Sequence, residues 1–248
     1  MNPGHAQPRE GHALEADTNA EADVNPIEAE SYRILRSRID LSHLPKLTRD
    51  VIERIIHASA DFSYCTDLVC DEEALAAGVA ALARGARVVA DVGMVAAGIT
   101  GYPVICKIGD SLAARLARTT GITVSAAAVR LAFGEAGPGA VWIVGCAPTA
   151  LEEIIRREVE PALVIGLPVG FVGAAAAKEA LRASGLPSLT NISEKGGSAV
   201  AVAAFNALLR AAKASQPSAR QPSAHQQPSA RQSSAHQAGK AQPEGGPR

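Results

Sequence analysis

Aromatic residues are scarce in this chain: one tryptophan, three tyrosines and four phenylalanines make up 3% of 248 residues. A core must then be filled by aliphatic side chains, which dominate a hydrophobic fraction of 47%. The aromatic platforms on which nucleobases stack are missing as well. Charge of one sign is lacking, since 24 Lys and Arg against 25 Asp and Glu leave a formal net charge of −1. Nothing in that balance attracts a polyanion, so no nucleic-acid partner is expected. The four cysteines, Cys65, Cys70, Cys106 and Cys146, form neither a C-x-x-C pair nor a Cys/His cluster. Neither a metal site nor a disulfide framework is signalled, and they read as small interior hydrophobes. No run approaches the roughly 20 apolar residues of a membrane span, and residues 1–24 lack the apolar segment of a secretory signal. The expectation is a cytoplasmic protein without membrane contact.

Nucleotide signatures are absent too. A Rossmann site needs G-x-G-x-x-G after a strand and a P-loop needs G-x-x-x-x-G-K-[ST]. Gly134-Glu135-Ala136-Gly137-Pro138-Gly139 has the wrong order and contains a proline, and Lys195-Gly196-Gly197-Ser198 lacks the upstream glycine.

What is present is an alternation of helix-like and strand-like patterns over residues 25–213, flanked by polar ends. Residues 1–24 carry five acidic residues against Arg9 and no apolar periodicity, which predicts a disordered arm. Residues 214–248 contain a degenerate repeat, QPSAR, QPSAH, QPSAR, QSSAH, too polar to pack, which predicts a disordered tail. Between them, helices are predicted over Pro26–Asp40, Thr48–Ser59, Asp71–Arg84, Asp110–Thr119, Ser125–Phe133, Pro148–Glu158, Gly173–Ser184 and Ser198–Lys213. Strands are predicted over Arg87–Asp91, Val104–Lys107, Ala140–Val144, Leu163–Gly166 and, more weakly, Ser188–Ile192. Short apolar runs separated by helices predict one α/β domain of three layers, a mostly parallel sheet with helices on both faces.

Several predicted helix starts carry glycine or proline. Leu163–Leu167 leads through Pro168-Val169-Gly170-Phe171-Val172-Gly173 into an alanine-rich helix. Pro148 suits the first position of a helix, and Ser198, after Lys195-Gly196-Gly197, reads as an N-cap. Each such start presents unpaired backbone N–H groups, which suit carboxylates or phosphates, and their repetition suggests a ligand with several anionic groups. Such ligands bind beyond the carboxyl ends of the strands.

Of six histidines, His5, His12, His225 and His236 lie in the polar ends and His43 in a loop. His57 falls in a helix whose apolar stripe is Val51, Ile52, Ile55 and Ile56, and a 100° step per residue places it roughly opposite that stripe. It faces either solvent or a cavity, and Glu53, four residues earlier, is within reach to pair with it and favour the imidazolium provided the helix stays regular.

The segments Ile56–Phe62 (IHASADF), Asp91–Val95 (DVGMV), Ala147–Leu151 (APTAL), Pro168–Ala175 (PVGFVGAA) and Lys195–Ser198 (KGGS) together resemble the precorrin-8X methylmutase family. That family includes the cobalt-precorrin-8 enzymes of anaerobic cobalamin synthesis, and the resemblance runs collinearly over residues 25–209. It implies an isomerase that moves a methyl group from C-11 to C-12 of a corrin-precursor macrocycle by a 1,5-sigmatropic shift, giving hydrogenobyrinic or cobyrinic acid. Metal-free and cobalt-containing substrates both stay open, with Ile56–Phe62 leaning to the anaerobic type. By this resemblance His57 is the catalytic proton donor, no cofactor is needed, and the enzyme is a homodimer. Substrate contacts carried over by motif are Ser31, Ile52, Asp91, Met94, Thr123, Ser125, Thr149, Gly170, Gly173, Lys195, Gly196, Gly197 and Ser198. The chain departs from the pattern at Val124, where relatives have arginine, at Ala176-Ala177 in place of Glu-Ser, and at Cys146 in place of asparagine. A non-catalytic tetrapyrrole carrier is the second reading, favoured by the missing arginine and opposed by His57.

Overall fold

The computed structural model describes residues 25–157 and 159–216; the arm expected over 1–24 and the tail from residue 217 onward lie outside them. Six strands form one sheet: β1 (Leu68–Cys70), β2 (Val88–Ala90), β3 (Val104–Ile105), β4 (Val141–Val144), β5 (Leu163–Gly166) and β6 (Ser188–Asn191). Their spatial order is β1-β6-β5-β4-β2-β3, all parallel except β1, which pairs antiparallel with β6 through Leu68↔Asn191, Val69↔Thr190 and Cys70↔Leu189.

Because side chains alternate across a strand, each central strand feeds two cores. Val88, Ala90, Val141, Ile143, Leu163 and Ile165 point to one face, covered by α1 (Pro26–Arg38), α2 (Lys46–Ser59), α4 (Glu72–Ala83), α5 (Gly93–Gly98) and α10 (Ser198–Ala214). Val89, Trp142, Val144 and Val164 point to the other, covered by α7 (Val124–Ala136), α8 (Pro148–Arg156) and α9 (Ala174–Ala183). Burial on both faces explains why these strands read as continuous apolar runs. Ile143 is fully buried, and its truncation to alanine would cost about 2–5 kcal/mol. A small satellite cluster joins α6 (Ser111–Thr120) to α7 through Ala113, Ala117, Ala127 and Ala128.

The expected three-layer architecture is therefore the observed one. Three short elements were not expected: α3 (Tyr64–Asp67), the edge strand β1, and α5. The chain leaves β2 in one direction toward β3 and the later strands run in the other, so the order reverses between β2 and β4. At such a switch point the carboxyl ends of the strands open a crevice.

Candidate active site

One side of the site is a corner between α1 and α2. His57 sits in the last turn of α2, half-buried, and the helix stops three residues later at Ala60, whose φ of 54° is left-handed. Ala60 is the one non-glycine residue with positive φ among the described residues, a conformation that costs roughly 1–2 kcal/mol. α1 lies over this turn. Ser31 Oγ and His57 Nδ1 are 2.8 Å apart, and the Tyr32 ring stacks on the imidazole with centroids 5.1 Å apart and planes 17° from parallel. His57 does not face solvent alone: it is half-buried, with α1 packed over it through Ser31 and Tyr32. With Nδ1 taken by Ser31, Nε2 is the ring nitrogen available to a ligand.

The expected Glu53–His57 pair does not form. Glu53 is 4% exposed and accepts two bonds from the Arg36 guanidinium, at 3.0 Å from Nε and 2.8 Å from Nη2. A bidentate guanidinium satisfies a buried carboxylate better than one imidazole nitrogen does. Glu28, on the first turn of α1, instead accepts from Arg54 at 2.7 Å and Arg210 at 3.0 Å. Burial raises the Glu28 pKa, but the Arg210 hydrogen bond and the charges of Arg54, Arg210 and His57 outweigh it and hold the carboxyl below its ordinary value.

The other side is an arc of loops at the carboxyl ends of β2, β4, β5 and β6. Thr123 caps α7, accepting from Ala126 N at 3.1 Å, and its hydroxyl lies 2.8 Å from that of Thr149 in the first turn of α8. Two expected contacts thus meet although 26 residues separate them. Gly173 has φ 80°, and a side chain there would point toward Pro148, 3.6 Å away. Gly170 N donates to Glu194 O at 3.0 Å, and Gly197 N to Leu167 O at 2.9 Å, so the two glycine loops lie side by side. Gly196 (φ 150°) permits this approach, because a Cβ there would collide with the Leu167 and Pro168 carbonyl oxygens. Lys195 closes the arc onto the corner: its ammonium reaches Asp61 at 2.7 Å and the Ser63 hydroxyl, both just beyond α2. The Lys195 hydrogen bond, with those from Ser63, pulls the Asp61 pKa down to about 2.

Buried charges shape this arc from below. Asp91 follows β2, is 4% exposed, and accepts from Gly145 N, Cys146 N and Ala147 N at 3.1, 2.9 and 3.0 Å. Its carboxylate therefore bridges the crevice between β2 and β4. Burial pushes its pKa up and the three backbone donors oppose that rise. Lys178 on α9 is fully buried, donating to Asn191 Oδ1 at 2.9 Å, Lys195 O at 2.7 Å and the Ser193 carbonyl. Burial brings its pKa down to about 8. Asp67 accepts from Asn191 Nδ2, Ile192 N, Ser193 N and Ser193 Oγ at 2.7–3.1 Å. The loop leading to Gly196-Gly197 is thus held by a cation and an anion that both bind main chain.

Some expected contacts play other parts. Ile52 is 3% exposed and belongs to the core, as its place in the α2 stripe dictates, so its side chain offers no surface to a ligand. Asp91 spends both carboxylate oxygens on backbone donors. Ser198 is not an N-cap: α10 begins at Ser198, Gly197 occupies the cap position, and no side chain bonds there. Ser125 is half-buried in the first turn of α7, next to Val124, while Met94 is 74% exposed at the start of α5. The cysteines are not interior: Cys65, Cys70 and Cys106 are half-buried, and Cys146 is exposed on the loop that Asp91 holds. Phe171 and Val172, 97% and 90% exposed, form an apolar rim on the first glycine loop. Clefts of about 530 and 560 Å³ lie elsewhere, one beside Gly139, Pro161 and Pro187 where strands begin, the other along β1.

Tyr32, Lys178, Asp67 and Asn191 were not anticipated. Lys178 had a signal: it continues the buried stripe Ala174, Ala177, Leu181 of α9, and a lysine in such a stripe needs acceptors.

Residues 26–211 match the model of a family described as precorrin-8X methylmutase. The chain is 38% identical over 193 residues to the cobalt-precorrin-8 methylmutase of Priestia megaterium, covering 73% of this chain and 85% of that protein. It is 38% identical over 200 residues to the precorrin-8X methylmutase of a Sinorhizobium species, covering 76% and 95%. Among solved structures, the precorrin-8X methyl mutase of Thermus thermophilus superposes with a TM-score of 0.69 at 36% identity, covering 77% of this chain and 98% of that one.

Proposed function

The chain belongs to the precorrin-8X methylmutase family, and from that premise we propose that His57 donates the proton for a C-11 to C-12 methyl migration while the arc of loops holds the macrocycle's carboxylate arms. The reaction is an isomerisation in cobalamin biosynthesis. The methyl group moves with its bonding electrons around the conjugated system, so no atom is gained or lost. A proton placed on the ring system favours the shift and is given back as product forms. The protein's work is to deliver that proton, fix one pose and exclude water.

The observation that carries this reading is the Ser31–His57 hydrogen bond at 2.8 Å. An imidazolium donates Nδ1–H to Ser31 Oγ and keeps Nε2–H for substrate; after transfer the Nδ1–H bond persists and the ring holds its tautomer. Ser31 is a partner of the acid in this scheme, whereas by motif alone it was a substrate contact. The carboxylate arms fall to the first turns of α7, α8, α9 and α10, with Thr123, Ser125, Thr149, Gly170, Gly173, Gly196, Gly197 and Ser198 lining them. Neutral backbone donors suit a protein whose formal net charge is −1. The Priestia megaterium cobalt-precorrin-8 methylmutase and the Sinorhizobium precorrin-8X methylmutase are each 38% identical to the chain, so both substrates are offered in the assay. The exposed rim of Phe171 and Val172 supports a homodimer, since apolar side chains so placed gain from being covered, and light scattering over a concentration series measures it.

The test is His57→Ala in single-turnover conversion, followed by the visible spectrum, with pigment binding measured on the same protein. Conversion falls roughly 10²-fold or more and binding survives. Near-wild-type conversion overturns the assignment of the acid. A pigment bound by the wild-type protein without spectral conversion of either substrate makes the chain a carrier instead.

A further inference from the structure

We infer that Tyr32 is a positioning residue for the His57 ring, and that the Arg36–Glu53 pair serves it as a backstop. The inference rests on His57 being the proton donor.

Ser31 fixes the imidazole through one atom, Nδ1, with a bond directed in the ring plane. That contact leaves the ring free to tilt about the Nδ1–Oγ direction, and tilting swings Nε2 away from any fixed acceptor. The stack supplies the missing restraint along the ring normal, with the Tyr32 centroid 5.1 Å from that of His57 and the planes within 17°. Adjacent residues of one helix thus impose two perpendicular constraints on the same ring.

Tyr32 is itself held. The Arg36 guanidinium carbon lies 5.6 Å from its ring centroid, within cation–π range. Arg36 is anchored by two hydrogen bonds to Glu53, whose carboxylate is 4% exposed. A surface arginine ordinarily samples many rotamers, and a buried bidentate partner removes that freedom. The order of support runs from Glu53 on α2, through Arg36 and Tyr32 on α1, back to His57 on α2. Among charged groups, the Glu28 carboxylate of α1 senses the imidazole, and it is itself paired with Arg54 of α2 and Arg210 of α10. The stack needs the aromatic ring and not its hydroxyl.

Full-length Tyr32→Leu, Tyr32→Phe and His57→Ala proteins are compared with wild type for kcat and KM, and the imidazole ¹⁵N resonances of substrate-free protein are recorded, assigned by their loss in His57→Ala. In Tyr32→Leu kcat falls roughly tenfold with KM unchanged, the scale expected when an acid is misplaced by a fraction of an ångström. Its His57 ¹⁵N signals broaden, and Tyr32→Phe recovers most of both losses. A helix that merely packs would not split kcat from KM or respond to ring against no ring in this way. Should Tyr32→Leu not fold, Arg36→Gln removes the backstop and is expected to lower kcat in the same direction at constant KM. Wild-type kcat in a folded Tyr32→Leu protein, or in Arg36→Gln where that variant stands in, overturns the inference, as does a Tyr32→Phe protein as impaired as Tyr32→Leu. If His57→Ala is inactive while Tyr32→Leu is unaffected, the positioning role alone falls; if His57→Ala converts substrate normally, the acid assignment falls and takes the positioning role with it.

Discussion

The corner between α1 and α2 and the arc of loops at the strand ends are built from different materials. In the corner the groups proposed to act are side chains, Ser31, Tyr32 and His57, and the charges nearby pair with one another, Arg36 with Glu53 and Glu28 with Arg54 and Arg210. In the arc the groups proposed to hold substrate are backbone N–H donors of the helix starts, and the charges beneath them, Asp91, Lys178 and Asp67, bind main-chain atoms and side-chain amides or hydroxyls of the loops. The division follows from the two tasks. Proton delivery needs a titratable atom whose place is set by its neighbours. Holding several carboxylates needs many donors that do not repel one another, and peptide N–H groups supply these without net charge.

This contrast predicts that damage to the arc lowers affinity while damage to the corner lowers turnover. The largest effect in the arc is expected for Lys178→Met. It strands Asn191 Oδ1 and leaves the Ser193 and Lys195 carbonyls to Asn191 Nδ2 alone, and a buried unsatisfied acceptor costs about 1–3 kcal/mol. Urea unfolding should show a loss of about 1–3 kcal/mol, with weakened substrate binding in the protein that remains folded. A variant with normal affinity and depressed turnover would break the division of labour.

A smaller effect is expected from Gly173→Val. The φ of 80° carries a penalty of roughly 1–2 kcal/mol for a residue with a Cβ, and the nearest atom, Pro148 Cβ at 3.6 Å, leaves room for the rest of the side chain. Substrate affinity should fall further than stability does, because the branched side chain occupies space where a carboxylate approaches the first turn of α9. Equal affinity in isothermal titration would move the ligand off that loop.

The smallest effect sharpens the seam between the two regions. Asp61, with its pKa pulled to about 2 by Lys195 and Ser63, contributes stability above the ordinary carboxylate range that disappears as pH falls toward 2. The pair is partly solvent-exposed, with side chains 43% and 36% accessible, so Lys195→Ala should cost less than about 1 kcal/mol at neutral pH. Wild type and variant should converge in stability between pH 4 and pH 2. A constant gap across that range would show that Lys195 supports the loop by packing and not by charge.

Most of the layered architecture could be read from the chain, because strands buried on both faces leave uninterrupted apolar runs and the covering helices leave stripes. β1 escaped because three residues, Leu68-Val69-Cys70, are too few to establish a period, and their strand exists only through pairing with β6. α5 escaped because Gly93 and Gly98 bound a six-residue helix that local propensity does not favour. Within the site, the backbone loops were legible from their glycines. The partner of His57 was not: Ser31 lies 26 residues earlier, and nothing in the periodicity of α2 distinguishes a histidine that meets α1 from one that meets water. Glu53 was misassigned for the same reason, since its true partner, Arg36, also comes from α1.

Asp91 has a consequence for how small molecules engage the protein. By bridging β2 to the β4–α8 loop it stoppers the crevice where an open α/β sheet would otherwise admit a ligand end-on. The donors proposed for the carboxylate arms are instead spread over four helix starts. Recognition of that proposed kind would be multivalent within a single molecule: each arm that lands would raise the effective concentration of the next. A mono- or dicarboxylate fragment of the macrocycle would engage one such station and forfeit that gain, so a surface of this kind would discriminate by the span of its guest.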